Sequence, residues 1–123
     1  MHEHGKIAIA HMCGHIRDLL PLLRETGLDG LNFVSPPPTG DTPFADVFRV
    51  LGEDYVVYGA IDPSMWIQVD SREEIQAKVR GMVTEDLLDK NLMLSAGADG
   101  LPGIPVEKFM AIREALADFI CPG

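Results

Sequence analysis

The chain has 123 residues, of which 46% are hydrophobic, and this is enough for one folded domain over residues 1–123. Its net charge of −9 and the lack of a basic cluster argue against nucleic acids and anionic membranes as partners. No apolar run reaches the roughly 18 residues of a membrane span, and the first residues do not form a signal peptide. The two cysteines, Cys13 and Cys121, do not make a disulfide framework. These features together favour the cytoplasm.

The first part of the chain predicts a strand followed by a helix. The strand is expected over residues 6–13, and the helix over about residues 16–26, with Gly27 as its stop. Pro21 is unusual inside a helix, so it indicates either a kink or a first turn that begins at Asp18.

A second strand–helix unit follows. The strand is expected over about residues 28–34, and residues 35–41 form a stiff loop with three consecutive prolines. Thr42 is the expected N-cap and Pro43 the expected first helical residue. Apolar residues then keep helical spacing from Phe44 until Gly52.

Two further units complete the pattern. Residues 55–61 are almost continuously apolar, which is typical of a strand buried on both faces. Ser71 and Glu74 form a capping box at the start of a long helix. A fourth strand at 92–96 leads through a Gly-rich loop into a last helix after Pro105. The buried stripes of the two helices are expected to be Ile75, Val79, Met82 and Val83, and Phe109, Ile112, Leu116, Phe119 and Ile120.

Alternating strands and helices predict an α/β fold with a parallel sheet. Periodicity alone does not distinguish a small open sheet from a piece of a barrel. A complete (β/α)₈ barrel needs about 250 residues, roughly twice this length.

Short motifs occur in a fixed order along nearly the whole chain, from about residue 6 to residue 119. They are His11-Met12-Cys13-Gly14, Leu20-Pro21-Leu22-Leu23, Glu25-Thr26-Gly27-Leu28-Asp29, Pro37-Pro38-Thr39-Gly40-Asp41, Gly59-Ala60-Ile61-Asp62-Pro63 and Leu101-Pro102-Gly103-Ile104-Pro105-Val106-Glu107. This series resembles the C-terminal half of the uroporphyrinogen decarboxylase superfamily. That superfamily includes the decarboxylase of haem biosynthesis and the zinc-dependent corrinoid methyltransferases.

The resemblance implies half of a TIM (β/α)₈ barrel, with four parallel strands in sequence order and helices on one side. It also implies four further strand–helix units, which a separate N-terminal half or a second copy of this chain would supply unless the chain is a truncated piece. Open sheet edges and a bare concave face favour association. Alternate strand residues are expected to face that gap, among them Ile7, Ile9, Val57 and Leu92.

His11 and Cys13 are the candidate metal ligands. Residues two apart on a strand point to the same side, and imidazole and thiolate both bind zinc. The resemblance to the methyltransferases implies that both are zinc ligands, and that the zinc holds a thiol acceptor as a thiolate. The alternative is that Cys13 is simply packed and His11 hydrogen-bonded.

The third ligand is missing from its expected place. The resemblance implies a cysteine after the last strand in the methyltransferases, or a histidine in the decarboxylases, where this chain has Ala98. Asp99 is the nearest replacement, one residue out of register, and Cys121 lies at the far end of the last helix. Two ligands and an offset carboxylate predict no closed zinc site in this chain alone.

Four other residues could take part in chemistry at the strand ends. His15 could be a general acid or base, or a solvated loop histidine. Arg17 could hold a carboxylate or phosphate of a substrate or cofactor, or be a surface arginine. Asp62 could be a catalytic carboxylate at the barrel mouth, or a turn or cap residue. Asp41 is expected to be a turn or capping residue.

Three functions follow from these observations. The first, supported by His11 and Cys13, is part of a methyltransferase that moves a methyl group between a corrinoid or methoxylated donor and a thiol, with a corrinoid protein as a possible partner. The second, supported by the superfamily alone, is a decarboxylase acting on a porphyrinogen or another small acid. The third is a non-catalytic half-barrel that binds or assembles. The half-barrel alone is expected to be inactive.

Overall fold

The computed structural model describes residues 2–62, 64–95 and 102–120. Its strands are β1 (Ile9–His11), β2 (Gly30–Val34), β3 (Val56–Ala60) and β4 (Leu92–Ser95). Its α-helices are α1 (Leu20–Leu23), α2 (Phe44–Leu51), α3 (Ser64–Gln68), α4 (Arg72–Met82) and α5 (Val106–Ile120). Short 3₁₀ turns cover His2–His4, Arg17–Leu19 and Glu85–Leu87. In the described ranges, every helix is too short or too polar to cross a membrane.

The four strands form one parallel sheet in the order β1-β2-β3-β4. Helices alternate with the strands, so each connection crosses from the end of one strand to the start of the next. This is the architecture of half of a TIM barrel, and it confirms the fold expected from the sequence. All four strands therefore have their carboxyl ends at the same edge of the sheet.

The two faces of the sheet differ in their surroundings. One row of side chains in register across the strands packs into the core that includes α2: Ala10, Leu31, Val57 and Leu92. The next row points the opposite way, because side chains alternate along a strand: His11, Asn32, Tyr58 and Met93. None of this second row is buried, and Met93 is 50% exposed. We call the surface that carries it the open face.

The expectation for strand residues at the bare face is only partly met. Ile9 is on the open face and is 46% exposed, and Ile7, before β1, is 67% exposed. Val57 is completely buried and Leu92 is partly buried in the core beneath the helices. The expectation was therefore wrong for Val57 and Leu92, since their register places them on the helix side.

The first helix is shorter than the sequence predicts. Leu20 donates its backbone N–H to the carbonyl of Arg17, which closes a 3₁₀ turn before α1 begins. Pro21 has no N–H to continue an α-helical ladder back to the same carbonyl. Pro21 therefore lies in the first turn of α1. This agrees with the interpretation of Pro21 as part of a first turn, not with the interpretation as a kink.

The start of α2 also differs from expectation. The N-cap is Pro43, not Thr42, and the Pro43 carbonyl accepts the N–H of Asp46 at 3.0 Å. Thr42 instead donates its hydroxyl to the Asp41 carboxylate at 2.8 Å. The Thr42 side chain is therefore held by the Asp41 carboxylate, and α2 begins without a side-chain cap.

The helices α3, α4 and α5 enclose a second apolar cluster. Its buried members are Ile61, Trp66, Val69, Ile75, Val79, Ala111, Ile112 and Ala115. Ser71 caps α4 by accepting the N–H of Glu74 at 3.3 Å, as its sequence motif predicts. Phe109, expected on the buried stripe of α5, is 39% exposed, and the small residues Ala111 and Ala115 take its place against α4. The helix α3 was not predicted, since residues 62–63 indicated only a loop.

Asp41 joins two neighbouring loops. Its Oδ1 accepts the N–H groups of Ile16 (2.9 Å) and Arg17 (3.2 Å), besides the Thr42 hydroxyl. Partial desolvation, the largest single influence, acts to raise the pKa of Asp41, but these hydrogen bonds outweigh it and hold the pKa below its ordinary value. Asp41 therefore caps the turn after β1, in agreement with its expected role.

Gly59 is expected to tolerate no side chain. A Cβ there would lie 2.5 Å from the Phe44 ring, which is buried between β3 and α2. Gly59→Ala should lower the free energy of unfolding by about 1–3 kcal/mol through overpacking. Gly81→Ala is the matched control, because its Cβ meets nothing within 4 Å and should stabilise α4 by about 0.5–1 kcal/mol. Urea unfolding of both variants measures the difference, and equal effects would contradict the packing.

The charge of Asp41 should contribute to stability in a defined pH range. Because its pKa is lowered on folding, the contribution is complete above the ordinary Asp pKa of about 3.9 and is lost as pH falls through the lower folded value. Asp41→Asn keeps the acceptor oxygen and removes the charge. The difference in free energy of unfolding between the wild type and this variant should therefore become smaller as the pH is lowered. Asp41→Ala removes the acceptor as well and should destabilise at every pH. Parallel pH–stability curves for wild type and Asp41→Asn would contradict this role.

The purified chain is expected to self-associate. In the described sheet, β1 and β4 each pair on one side only, and Ile9 and Met93 expose apolar surface on the open face. Two copies related by a two-fold axis would bring eight strands together. Sedimentation velocity over a wide concentration range should show particles larger than the 13.4 kDa monomer. A sharp monomer with a cooperative melt would contradict the expectation.

Candidate functional site

The candidate residues that the structure describes gather at the carboxyl edge of the sheet. His11 is the last residue of β1, Cys13 follows it by two positions, and Asp62 comes two positions after β3. Because the strands are parallel, all three lie at one end of the sheet, as the sequence predicts. Asp99, Ala98 and Cys121 lie outside the described residues.

The His11 imidazole is held by two consecutive residues of β2. Its Nδ1 lies 2.6 Å from Oδ1 of Asn32, and its ring stacks on Phe33 with centroids 5.4 Å apart and planes inclined by 30°. An amide oxygen can only accept a hydrogen bond, so this contact requires the tautomer with the proton on Nδ1. In the neutral ring Nε2 then has the free lone pair, which is the form that binds a metal or accepts a proton.

Cys13 lies two positions beyond the end of β1. The N–H of Met12 donates to the Asn32 carbonyl at 2.8 Å, which completes the pairing of His11 with Asn32. Met12 packs against the core beneath the helices, whereas His11 and Cys13 are both exposed. A shared side for the imidazole and the thiol would require this alternation to continue past the end of β1, and it stays a prediction. Cys13 is exposed in this chain, and the contact of His11 with Asn32 agrees with the alternative of a hydrogen-bonded His11.

The donor types fit zinc, but the described residues supply too few of them. A closed zinc site takes four ligands, and a catalytic one takes three protein ligands and an open position. Within residues 2–62, 64–95 and 102–120, no group of three or more His, Cys, Asp or Glu side chains could hold one metal ion. His11 and Cys13 could therefore hold zinc only together with a donor from elsewhere.

Asp62 is buried and hydrogen-bonded. Its side chain accepts the hydroxyl of Thr39, and only 6% of the residue is exposed. Thr39 belongs to the proline-rich loop after β2, so this bond joins that loop to the end of β3. The arrangement is compatible with a cap and with a carboxylate positioned for chemistry, and the role of Asp62 stays a prediction.

His15 and Arg17 lie in the turn after β1. His15 is exposed and its charge helps to lower the pKa of Asp41 after the larger effects of desolvation and hydrogen bonds. Arg17 donates to Asp46 of α2 at 2.6 Å, and Asp46 also accepts Arg49 at 2.6 Å. Arg17 thus ties the turn to α2 through a carboxylate shared by two guanidinium groups. A role in holding an anionic group stays a prediction.

Sequence reasoning missed three residues of the open face beside His11. Asn32 and Tyr58 are in register with His11 across β2 and β3, and Phe33 stacks on its ring. The polar Asn32 within an otherwise apolar strand was a usable signal, because two-residue alternation sets it opposite the buried Leu31. The stacking of Phe33 had no such signal, since regular alternation would have turned it towards the helices.

Comparisons with known proteins agree with this architecture. A family model described as uroporphyrinogen decarboxylase (URO-D) matches residues 1–119 of the 123-residue chain. No curated protein and no solved structure gives a significant match. The family match covers all four strands and the candidate residues at their carboxyl ends. The chain belongs to the uroporphyrinogen decarboxylase family.

Proposed function

We propose that this chain forms the zinc-binding part of a methyltransferase within the family, which moves a methyl group between a corrinoid or methoxylated donor and a thiol. The observation that carries the proposal is that His11, the last residue of β1, and Cys13, two positions later, are both exposed at the carboxyl edge of the sheet. A histidine and a cysteine at this spacing match two zinc ligands of the methyltransferase branch.

The surroundings of His11 support its role as a ligand. Metal-binding histidines usually donate their second ring N–H to a carbonyl or carboxylate, which fixes the tautomer and the ring. Nδ1 of His11 makes this bond to Asn32, so Nε2 is left to bind the metal. Cys13 is exposed, so its sulfur is accessible to an ion on the same side.

Zinc bound there would hold the thiol substrate as a thiolate at neutral pH. The proton released by the thiol needs an acceptor, and we assign it to His15, which is exposed in the turn two residues after Cys13. In this proposal Arg17 orients an anionic group of the substrate, Asp62 positions the loop beside the site, and Asp99 is the third protein ligand.

The proposal also includes the rest of the barrel. Four further strand–helix units, from an N-terminal half or a second copy, would cover the open face and complete the site. The methyl donor is then presented from the carboxyl edge, where barrel enzymes bind their substrates, by a corrinoid protein or as a small methoxylated compound.

The metal site gives the sharpest test. In the completed barrel, His11→Ala and Cys13→Ser should each weaken zinc binding at least about tenfold, measured by competition with a chromophoric chelator. His15→Ala and Cys121→Ser are the matched controls, and both should bind zinc as the wild type does. With cobalt in place of zinc, the thiolate-to-metal absorption band should be present in the wild type and absent from Cys13→Ser.

The outcomes separate the three candidate functions. Equal zinc affinity in the wild type, His11→Ala and Cys13→Ser would remove the methyltransferase proposal. Release of CO₂ from uroporphyrinogen by the completed barrel would then favour a decarboxylase. Loss of both activities together with intact assembly would favour a binding or assembly module.

A further inference from the structure

We infer that Asn32 and Phe33 form a clamp that sets the tautomer and orientation of the His11 ring. The clamp is a bulge in β2, and Asn32 and Phe33 are positioning residues that act through His11. The consequence for zinc affinity rests on the proposed function, whereas the consequence for the imidazole itself does not.

The bulge is visible in the strand register. Asn32 pairs with Tyr58 and Val34 pairs with Gly59, so two residues of β2 advance for one residue of β3, and Phe33 is the extra residue. Without it, Phe33 would occupy the position of Val34 and point into the core. With it, Val34 is completely buried and Phe33 is left half-buried, beside His11.

The backbone at Phe33 is in an unfavourable conformation. Its φ is +70°, in the left-handed region, and it is the one residue other than glycine with a positive φ in the described part of the chain. A bulky aromatic residue rarely adopts this conformation, and such outliers persist where surrounding contacts impose them, often at functional sites. Here the outlier coincides with the residue that stacks on the candidate ligand.

The two contacts restrict different motions of the imidazole. The Asn32 oxygen at 2.6 Å from Nδ1 fixes which nitrogen carries the proton, and the Phe33 ring restricts rotation of the imidazole plane. In free histidine the opposite tautomer, with the proton on Nε2, predominates. The clamp therefore converts His11 to the form whose Nε2 lone pair is available on the open face.

Nitrogen and carbon NMR of the histidine rings tests the clamp directly on the metal-free chain. At a pH about two units above the ordinary imidazole pKa, the neutral His11 ring should be mainly protonated on Nδ1. Asn32→Leu, which has similar volume and no acceptor, should shift the tautomer ratio roughly fivefold towards Nε2–H. Asn32→Asp keeps an acceptor and should retain the Nδ1–H form. The exposed His4 and His15 serve as internal references in each spectrum.

A pair of substitutions isolates the backbone strain. Phe33→Gly and Phe33→Ala both remove the ring, but only glycine adopts a positive φ without steric cost. Phe33→Gly should therefore melt about 4 °C higher than Phe33→Ala. An equal or lower melting temperature for Phe33→Gly would show that the left-handed conformation is not imposed on the chain.

The zinc measurements separate the clamp from the proposed function. Asn32→Leu should weaken zinc binding by about 10- to 100-fold, and Asn32→Asp should not weaken it. A wild-type His11 ring that is mainly Nε2–H, or a tautomer ratio unchanged by Asn32→Leu, overturns the clamp whatever the zinc result. If the His11 ring is mainly Nδ1–H but zinc affinity does not depend on His11, the clamp is upheld. The assignment of His11 as a metal ligand is then overturned.

Discussion

Parallel pairing of the four strands in sequence order is the constraint on which the rest of the structure depends. It brings every strand–helix loop to one edge, so residues as distant in sequence as Cys13 and Asp62 lie at the same end of the sheet. It also aligns side chains in rows across the sheet, because parallel strands in register present equivalent positions at one level. The buried row through Leu31 and Val57 stabilises the sheet against the helices, and the next row forms the open face that carries His11.

The bulge in β2 changes which of its residues face the core and which lie beside His11. A regular strand could not bury both Leu31 and Val34, because residues three apart point to opposite faces, and it would turn Phe33 towards the core. Inserting Phe33 as an extra residue allows the core to close with Val34 while the aromatic ring stays near the imidazole. The same departure from regular geometry thus serves the core and the candidate ligand together.

The sequence was sufficient for the features that depend on periodicity and composition. The four strands and the helix α2 before Gly52 follow from apolar spacing and from helix stops, and the structure agrees. The order of the strands followed from the family resemblance, and the structure confirms it. The details that failed depend on which partner a polar group finds in space. Thr42 was expected to cap α2, but its hydroxyl bonds to Asp41, and no pattern within one segment distinguishes these partners.

The candidate site was predictable to the same extent. The spacing of His11 and Cys13 indicated a shared side, because it depends only on strand geometry. Asn32 could not be paired with His11 from the sequence, since that contact depends on the register between two strands. Phe33 was beyond prediction, because the bulge that places it arises from the pairing of β2 with β3.

The proline-rich loop after β2 explains how the edge of the sheet keeps its shape. Asp41 caps the turn after β1 through Ile16 and Arg17, and Thr39 donates to Asp62 at the end of β3, so one loop holds both neighbouring strand ends. Gly40 between them approaches the first loop closely, because a Cβ there would lie 2.7 Å from the carbonyl oxygen of Gly14. Prolines lower the conformational freedom that such a loop loses on folding. The loop therefore fixes the spacing of the elements that carry His11, Cys13 and Asp62 at this edge of the sheet.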